Sequence, residues 1–270
     1  FKVRGGINLL SQLSEMEKLK GVVTASSGNH GQSIAYSANL FGAKCVVCVP
    51  KDANPDKVAS IKRLGSEVIH FGAYFDQTRE YAEQISREEG YKFIHAVNEP
   101  LLIEGVATYT MEIIEDLPDV DAIIVPLGGG SGASGACIVA KHINPDIEVI
   151  AVQSAEAPAG YLSWKNGSLT KADMTSRAEG LATGSGYELP QEILKELLDD
   201  FLLVTDAEME EAISIHLENT HNLAEHAGAA SLAAALQLKD RLCGKKIALV
   251  MSGGNLSLSG LQATIGQPRK

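Results

Sequence analysis

Long stretches of any one kind are what this sequence lacks. Basic residues form no run, and the 23 lysines and arginines are outnumbered by 34 aspartates and glutamates, giving a formal net charge of −11. Clustered cations are what hold a polyanion, so this balance argues against a nucleic-acid partner. No apolar run is long enough to cross a bilayer and no secretory signal pattern is present, which sets the expectation of a cytoplasmic protein with no membrane partner. The seven histidines show no H-E-x-x-H or comparable ligand spacing, so no metal site is expected. Cysteine is scarce too. Of the four, Cys45 and Cys48 form a C-x-x-C, but they lie in the apolar run of residues 43–49, which reads as a buried strand. A redox pair needs an exposed helix start instead, so buried thiols are expected.

What is present is 45% hydrophobic residues and 26 glycines in 270 residues, enough for one large domain or two modest ones with real cores. Strand-like and helix-like segments alternate. Residues 21–25, 44–49, 67–70 and 92–94 read as strands, and 31–41, 55–64, 76–89 and 101–115 as helices. Gly42, Gly65 and Gly90 each follow a helical pattern as stop signals. A second series of strands is expected at 121–127, 148–153, 201–204 and 246–251. Residues 157–189, rich in Gly, Ser and Thr, read as an irregular loop region. The alternation predicts an α/β protein of two parallel-sheet domains, with ligands expected at the carboxyl ends of the strands.

Three strand-end loops stand out. Ser26, Ser27, Gly28, Asn29, His30 and Gly31 crowd two hydroxyls, an amide and an imidazole where a strand turns into a helix. Such a helix start is an anion cradle, and its side-chain donors suit a carboxylate; an ordinary N-cap is the alternative. Residues 128–135, Gly-Gly-Gly-Ser-Gly-Ala-Ser-Gly, follow the apolar strand of residues 122–127. Without Cβ atoms the backbone N–H groups can close on phosphate oxygens. The same loop holds a G-x-G-x-x-G at Gly130, Gly132 and Gly135. The acid a dinucleotide site needs about 20 residues on is only partly matched, by Glu156 beyond the strand end. The third loop is Ser252, Gly253, Gly254 and Asn255, whose glycines admit a flat ligand.

Taken in order, Phe1-Lys2-Val3-Arg4-Gly5, residues 26–31, 128–132 and 252–255 resemble the fold-type II pyridoxal-phosphate (PLP) enzymes. Within them the chain is most similar to the threonine dehydratase and serine racemase branch, along essentially its whole length. The resemblance implies a two-domain α/β fold like the tryptophan synthase β subunit, each domain a mostly parallel sheet flanked by helices. Residues 1–10 and 104–270 would be the large PLP-binding domain and 11–103 the small substrate-closing one. Family members have several dozen residues before the catalytic lysine, so a segment upstream of Phe1 is expected.

By itself Lys2 is an unremarkable lysine; the resemblance makes it the Schiff-base residue and α-proton base, with Phe1 beside it. It also implies Asn29 against the cofactor's phenolic oxygen and Gly128, Gly129, Gly130, Ser131 and Gly132 on its phosphate. Ser252 falls at the pyridine nitrogen, and Glu225 is a neighbour of the cofactor. Ser26, Ser27, Asn29 and His30 are implied to hold the substrate carboxylate. The activity implied is deamination of a β-hydroxy amino acid, threonine or serine, to a 2-oxo acid and ammonia by β-elimination. Ser27 keeps an amino-acid racemase in play, since it stands where the family's racemases reprotonate Cα opposite the lysine. A nucleotide- or amino-acid-binding protein without chemistry is the more distant alternative. A homo-oligomer, dimer or tetramer, is implied. Departures from the pattern are Gln153 and Ala159 at positions where cation-binding members carry Glu and Asp, Glu179 in place of the Asp of A-D-G, and His226 after Glu225.

Overall fold

The computed structural model describes residues 1–265. The chain divides into two compact units, Phe1–Val106 and Ala107–Lys270. In the first, the elements run α1 (Lys2–Ser11), α2 (Glu15–Lys20), β1 (Val22–Ala25), α3 (Asn29–Leu40), β2 (Cys45–Val49), α4 (Pro55–Arg63), β3 (Glu67–His70), α5 (Phe75–Glu89) and β4 (Lys92–Phe93). The division falls inside α6 (Pro100–Asp116). The four strands form a parallel sheet in the order β3-β2-β1-β4, with Val22 opposite both Cys45 and Lys92. β1 and β2 are buried along their whole length, as expected of central parallel strands covered on both faces. Leu9, Leu10, Ile34 and Ile61 cover one face and Ala82 and Ile85 the other. Local chemistry starts the helices: Asn54 caps α4 ahead of Pro55, and Ser14 with Glu17 makes a capping box on α2.

The second unit holds β5 (Ala122–Pro126), α7 (Ser131–Ile143), β6 (Glu148–Ser154), α8 (Ala159–Asn166), α9 (Glu188–Leu197), β7 (Asp200–Val204), α10 (Asp206–Thr220), α11 (His226–Gln237), β8 (Ile247–Leu249) and α12 (Leu258–Ile265). Its sheet is parallel in the order β7-β6-β5-β8. The alanines of α11 let that helix lie close against the core formed by Ile124, Ile150, Val152, Met209 and Ile213. Each such buried aliphatic side chain contributes roughly 1.5–3 kcal/mol of transfer free energy.

Both sheets reverse strand order once, between β1 and β4 and between β5 and β8, and the reversal point opens a crevice at the carboxyl edge. The loop after β1 carries residues 26–28; the loops after β5 and β8 carry residues 127–130 and 250–257. All three predicted loops therefore emerge where the topology places ligand sites.

The strand positions agree with the sequence expectation to within a few residues. Several helices depart from it. Residues 157–189 are not irregular throughout, because α8 lies within them, with Tyr161 and Trp164 packed on Phe201 at centroid separations of 5.4 and 5.8 Å. α1, beginning at Lys2, and the short α2 were not expected from the pattern.

Candidate active site

In the first unit the seat of Lys2 is set by glycine. A Cβ at Gly5 would lie 2.6 Å from the Leu102 carbonyl oxygen, and one at Gly6 2.4 Å from Ser33 Oγ. With both side chains absent, α1 lies directly on α3 through Gly6 and on Leu102 through Gly5, and Ser33 Oγ donates to the Lys2 carbonyl at 2.7 Å. The Lys2 ammonium sits 5.2 Å from the Phe1 ring centroid, in cation–π range. Burial pulls it down from its ordinary 10.5 to about 8, so a usable share of the amine is unprotonated near neutral pH.

The loop after β1 has its own close approach. A Cβ at Gly31 would be 2.3 Å from the Ser26 carbonyl oxygen, whereas Gly28 faces open space. The Gly28 N–H donates to Ser26 Oγ at 3.2 Å, and no side chain caps α3. Ser26, Ser27, Gly28 and Asn29 are half-buried, and His30 is 6% exposed.

His30 is turned inward. Its Nε2 meets Thr24 Oγ1 at 2.9 Å, and the single Thr24 hydroxyl proton is given to the Ile94 carbonyl at 2.8 Å. Thr24 can then only accept from the ring, which fixes the proton on Nε2 and leaves Nδ1 as an acceptor. Burial, with the charges of Lys2 and His95, lowers His30 to about 3, so the imidazole is neutral. The structure thus brings Lys2 into electrostatic reach of the loop of residues 26–31, with an uncharged histidine at the helix start.

In the second unit a Cβ at Gly128 would lie 2.0 Å from the Gly180 carbonyl oxygen. Gly130, at φ +106, is in a conformation an L side chain resists and is packed against Pro190. α7 starts here without a side-chain cap, and Tyr109, a buried phenol raised well above its ordinary range, donates to the Gly132 carbonyl at 2.8 Å. Gly135 is required for packing, since its Cβ would meet the Ala107 backbone at 2.9 Å. The G-x-G-x-x-G is thus a tight turn plus a close helix contact, at a helix start without a side-chain cap, the kind of terminus that suits an anion.

Ser252 and Glu225 are brought together. The Glu225 N–H donates to the Gly253 carbonyl at 3.0 Å, and a Cβ at Gly228 would be 2.3 Å from that same oxygen. Ser231 Oγ lies 3.0 and 3.1 Å from the Ile124 and Val250 carbonyls and shares its one proton between them, holding α11 to the middle of β5 and to the residue after β8, two before Ser252. Thr24, Ser33, Tyr109 and Ser231 escaped the sequence reading; each lies in an apolar or helical stretch, with no spacing signal. Among the described residues no cluster of three or more His, Cys, Asp or Glu side chains is placed to hold a metal, and no helix is long and apolar enough to cross a membrane.

A buried lysine of lowered pKa near a helix start without a side-chain cap, and a glycine-rich turn at a second such helix start, are parts suited to an enzyme that handles a phosphorylated aldehyde cofactor. The family described as pyridoxal-phosphate dependent enzyme matches residues 1–253, and the chain belongs to it. PLP is its cofactor.

Among individual relatives, an L-threonine ammonia-lyase of Thermotoga maritima is 37% identical over 99% of this chain and 67% of its own length. A serine racemase of Schizosaccharomyces pombe is 36% identical over 96% of this chain and 80% of its own. The solved structure of the processed form of threonine deaminase isoform 2 from Solanum lycopersicum superposes with a TM-score of 0.94 at 30% identity, covering 98% of this chain and 78% of that one. The fold-type II α/β architecture inferred from the motifs is therefore established.

Proposed function

We propose that this chain is a PLP-dependent ammonia-lyase that dehydrates and deaminates a β-hydroxy amino acid, threonine or serine, to a 2-oxo acid and ammonia. The observation that carries the reading is Lys2: a buried lysine of lowered pKa, tied to α3 through Ser33 and in electrostatic reach of His30 at the start of that helix. When bound, PLP supplies an electron sink that acidifies the substrate α-hydrogen. Lys2 would hold the cofactor, and its Nζ would be the base that takes the substrate α-proton. Ser26 Oγ, the Asn29 side chain and the first-turn backbone of α3 bind the substrate carboxylate and aim Cα at Lys2. His30 contributes its backbone N–H there, because the neutral ring already spends its only proton on Thr24. Gly128, Gly129, Gly130, Ser131 and Gly132 would hold the phosphate, Phe1 and Glu225 would neighbour the cofactor, and Ser252, a neutral group, would hold the pyridine nitrogen, which favours elimination over transamination.

The test is borohydride reduction of the cofactor-loaded protein followed by peptide mapping. Label on Lys2, and 2-oxo acid released from threonine or serine, supports the proposal; label elsewhere or no oxo acid sinks it. In the Ser252→Asp variant transamination should rise relative to elimination.

Ser27 and the serine racemase relative favour a second reading, an amino-acid racemase with Lys2 and Ser27 on opposite faces of Cα. Ser27→Ala decides between them: under the racemase reading it abolishes D-amino acid formation and spares oxo-acid release. Residues 1–10 with 104–270 are proposed to serve the cofactor and residues 11–103 to close on substrate. Cytoplasmic residence and a homodimer or homotetramer complete the proposal, the latter to be read by sedimentation.

A further inference from the structure

The side chain of Gln153, at the carboxyl end of β6, has no exposed surface, yet every part of its carboxamide is engaged. Its Oε1 accepts the Tyr161 N–H at 3.0 Å, at the start of α8. Its Nε2 donates to the Leu181 carbonyl and to Thr183 Oγ1, both at 3.3 Å. Thr183 Oγ1 in turn donates to the Gly128 carbonyl at 3.5 Å. A continuous hydrogen-bonded chain thus runs from β6 and α8, through Gln153 and Thr183, to the first glycine of the loop after β5.

Packing follows the same route. The turn of residues 178–183, closed by Leu181 N–H to the Ala178 carbonyl at 2.8 Å, presses its Gly180 carbonyl onto Gly128, where a Cβ would be 2.0 Å away. Gly160 makes room for the amide, since a Cβ there would be 3.0 Å from Gln153 Oε1. The site demands one acceptor and two donors on a side chain of this length. A carboxylate would set an acceptor against the Leu181 carbonyl, and a hydrocarbon would take from the Tyr161 N–H and the buried Leu181 carbonyl the partner they have here.

We propose that Gln153 is the positioning residue for the phosphate loop of residues 128–132: it clamps the 180–183 turn against Gly128 and so fixes the backbone that receives the cofactor phosphate. The proposal rests on the reading of that loop as the phosphate seat. Gln153 acts on that loop through Thr183 and Gly180.

The test uses Gln153→Met, which keeps the length without the hydrogen bonds, Thr183→Val, and the double variant. Melting of the cofactor-free protein, the dissociation constants for PLP and for phosphate-free pyridoxal, and the phosphorus resonance of bound PLP are measured on each. Gln153→Met should weaken PLP about tenfold, leave pyridoxal within about twofold, and move the phosphorus resonance. Thr183→Val should act in the same direction, and the double variant should be no weaker than Gln153→Met, because the links act in series. A lowered melting temperature with an unchanged PLP-to-pyridoxal ratio would mark Gln153 as merely structural and overturn the proposal, as would additive losses in the double variant. Should Gln153→Met fail to fold, the same ratio in Thr183→Val decides. Wild-type protein that does not prefer PLP over pyridoxal would overturn the phosphate seat itself, and the proposal with it.

Discussion

Raising the pH of the cofactor-free protein from about 7 to about 10 titrates Lys2 well before an ordinary lysine. With its pKa at about 8 rather than 10.5, about a tenth of Lys2 is neutral at pH 7, against about one part in 3,000 for an exposed lysine, a gain of roughly 300-fold in nucleophilic amine. The same shift is a stability statement. Below about pH 8 both states are protonated and burying the ammonium costs the fold its full penalty, about 3 kcal/mol from the two values. Between 8 and 10.5 the unfolded chain binds more protons than the folded one, so the penalty fades and this group makes stability rise with pH. Competitive trace acetylation, read by fragment spectra that place the label on Lys2, measures the titration directly. The stability arm is the melting temperature across the same window, wild type minus Lys2→Met. The difference should change by about 5–10 °C as pH passes from 8 to 10.5. A labelling midpoint at 10 or above, or a difference that is flat with pH, would refute the burial argument and with it the readiness of Lys2 for chemistry near neutrality.

Other outcomes follow from the same geometry. Gly128→Ala forces a methyl into the Gly180 carbonyl and should cost about 1–3 kcal/mol in thermal or denaturant unfolding and weaken PLP, whereas Gly28→Ala, facing open space, should leave stability within about 0.5 kcal/mol. Thr24→Val removes the partner that fixes the His30 proton; nitrogen NMR should show the ring leaving the pure Nε2–H form, with a stability loss of about 1–3 kcal/mol. Native protein should react with a thiol reagent quickly at Cys243 alone: Cys45, Cys48 and Cys137 are buried, and burial pushes their thiols up to about 11, 12 and 12. Fast loss of a second thiol would contradict the strand assignment of the C-x-x-C.

Much of the fold was legible because its signals are local. The strands at residues 22–25, 45–49 and 122–126 are short apolar runs bounded by glycine or proline, a pattern that buried parallel strands can hardly hide. Gly42, Gly65 and Gly90, read as helix stops, do adopt positive φ. α8 was missed because its stability comes from Tyr161 and Trp164 on Phe201 and from the Gln153 amide, contacts made across many residues rather than within the segment. α1 was missed because Gly5 and Gly6 are poor helix formers, and only the close approach to Leu102 and Ser33 rewards their lack of a side chain.

The sequence by itself determined the α/β alternation, the strand-end position of the three loops and, through the order of four motifs, the family and its cofactor. Backbone propensity, capping chemistry and glycine spacing act over a few residues and are written directly in the chain. Only the tertiary structure decided that Lys2 is a weakened base, that His30 is neutral with its proton on Nε2, and that Gln153 is wired to the loop of Gly128. Each of these depends on desolvation or on a hydrogen-bond partner distant in sequence, Ile94 for the histidine chain and Thr183 for the glutamine, and no local pattern encodes which groups folding will shut away from water together.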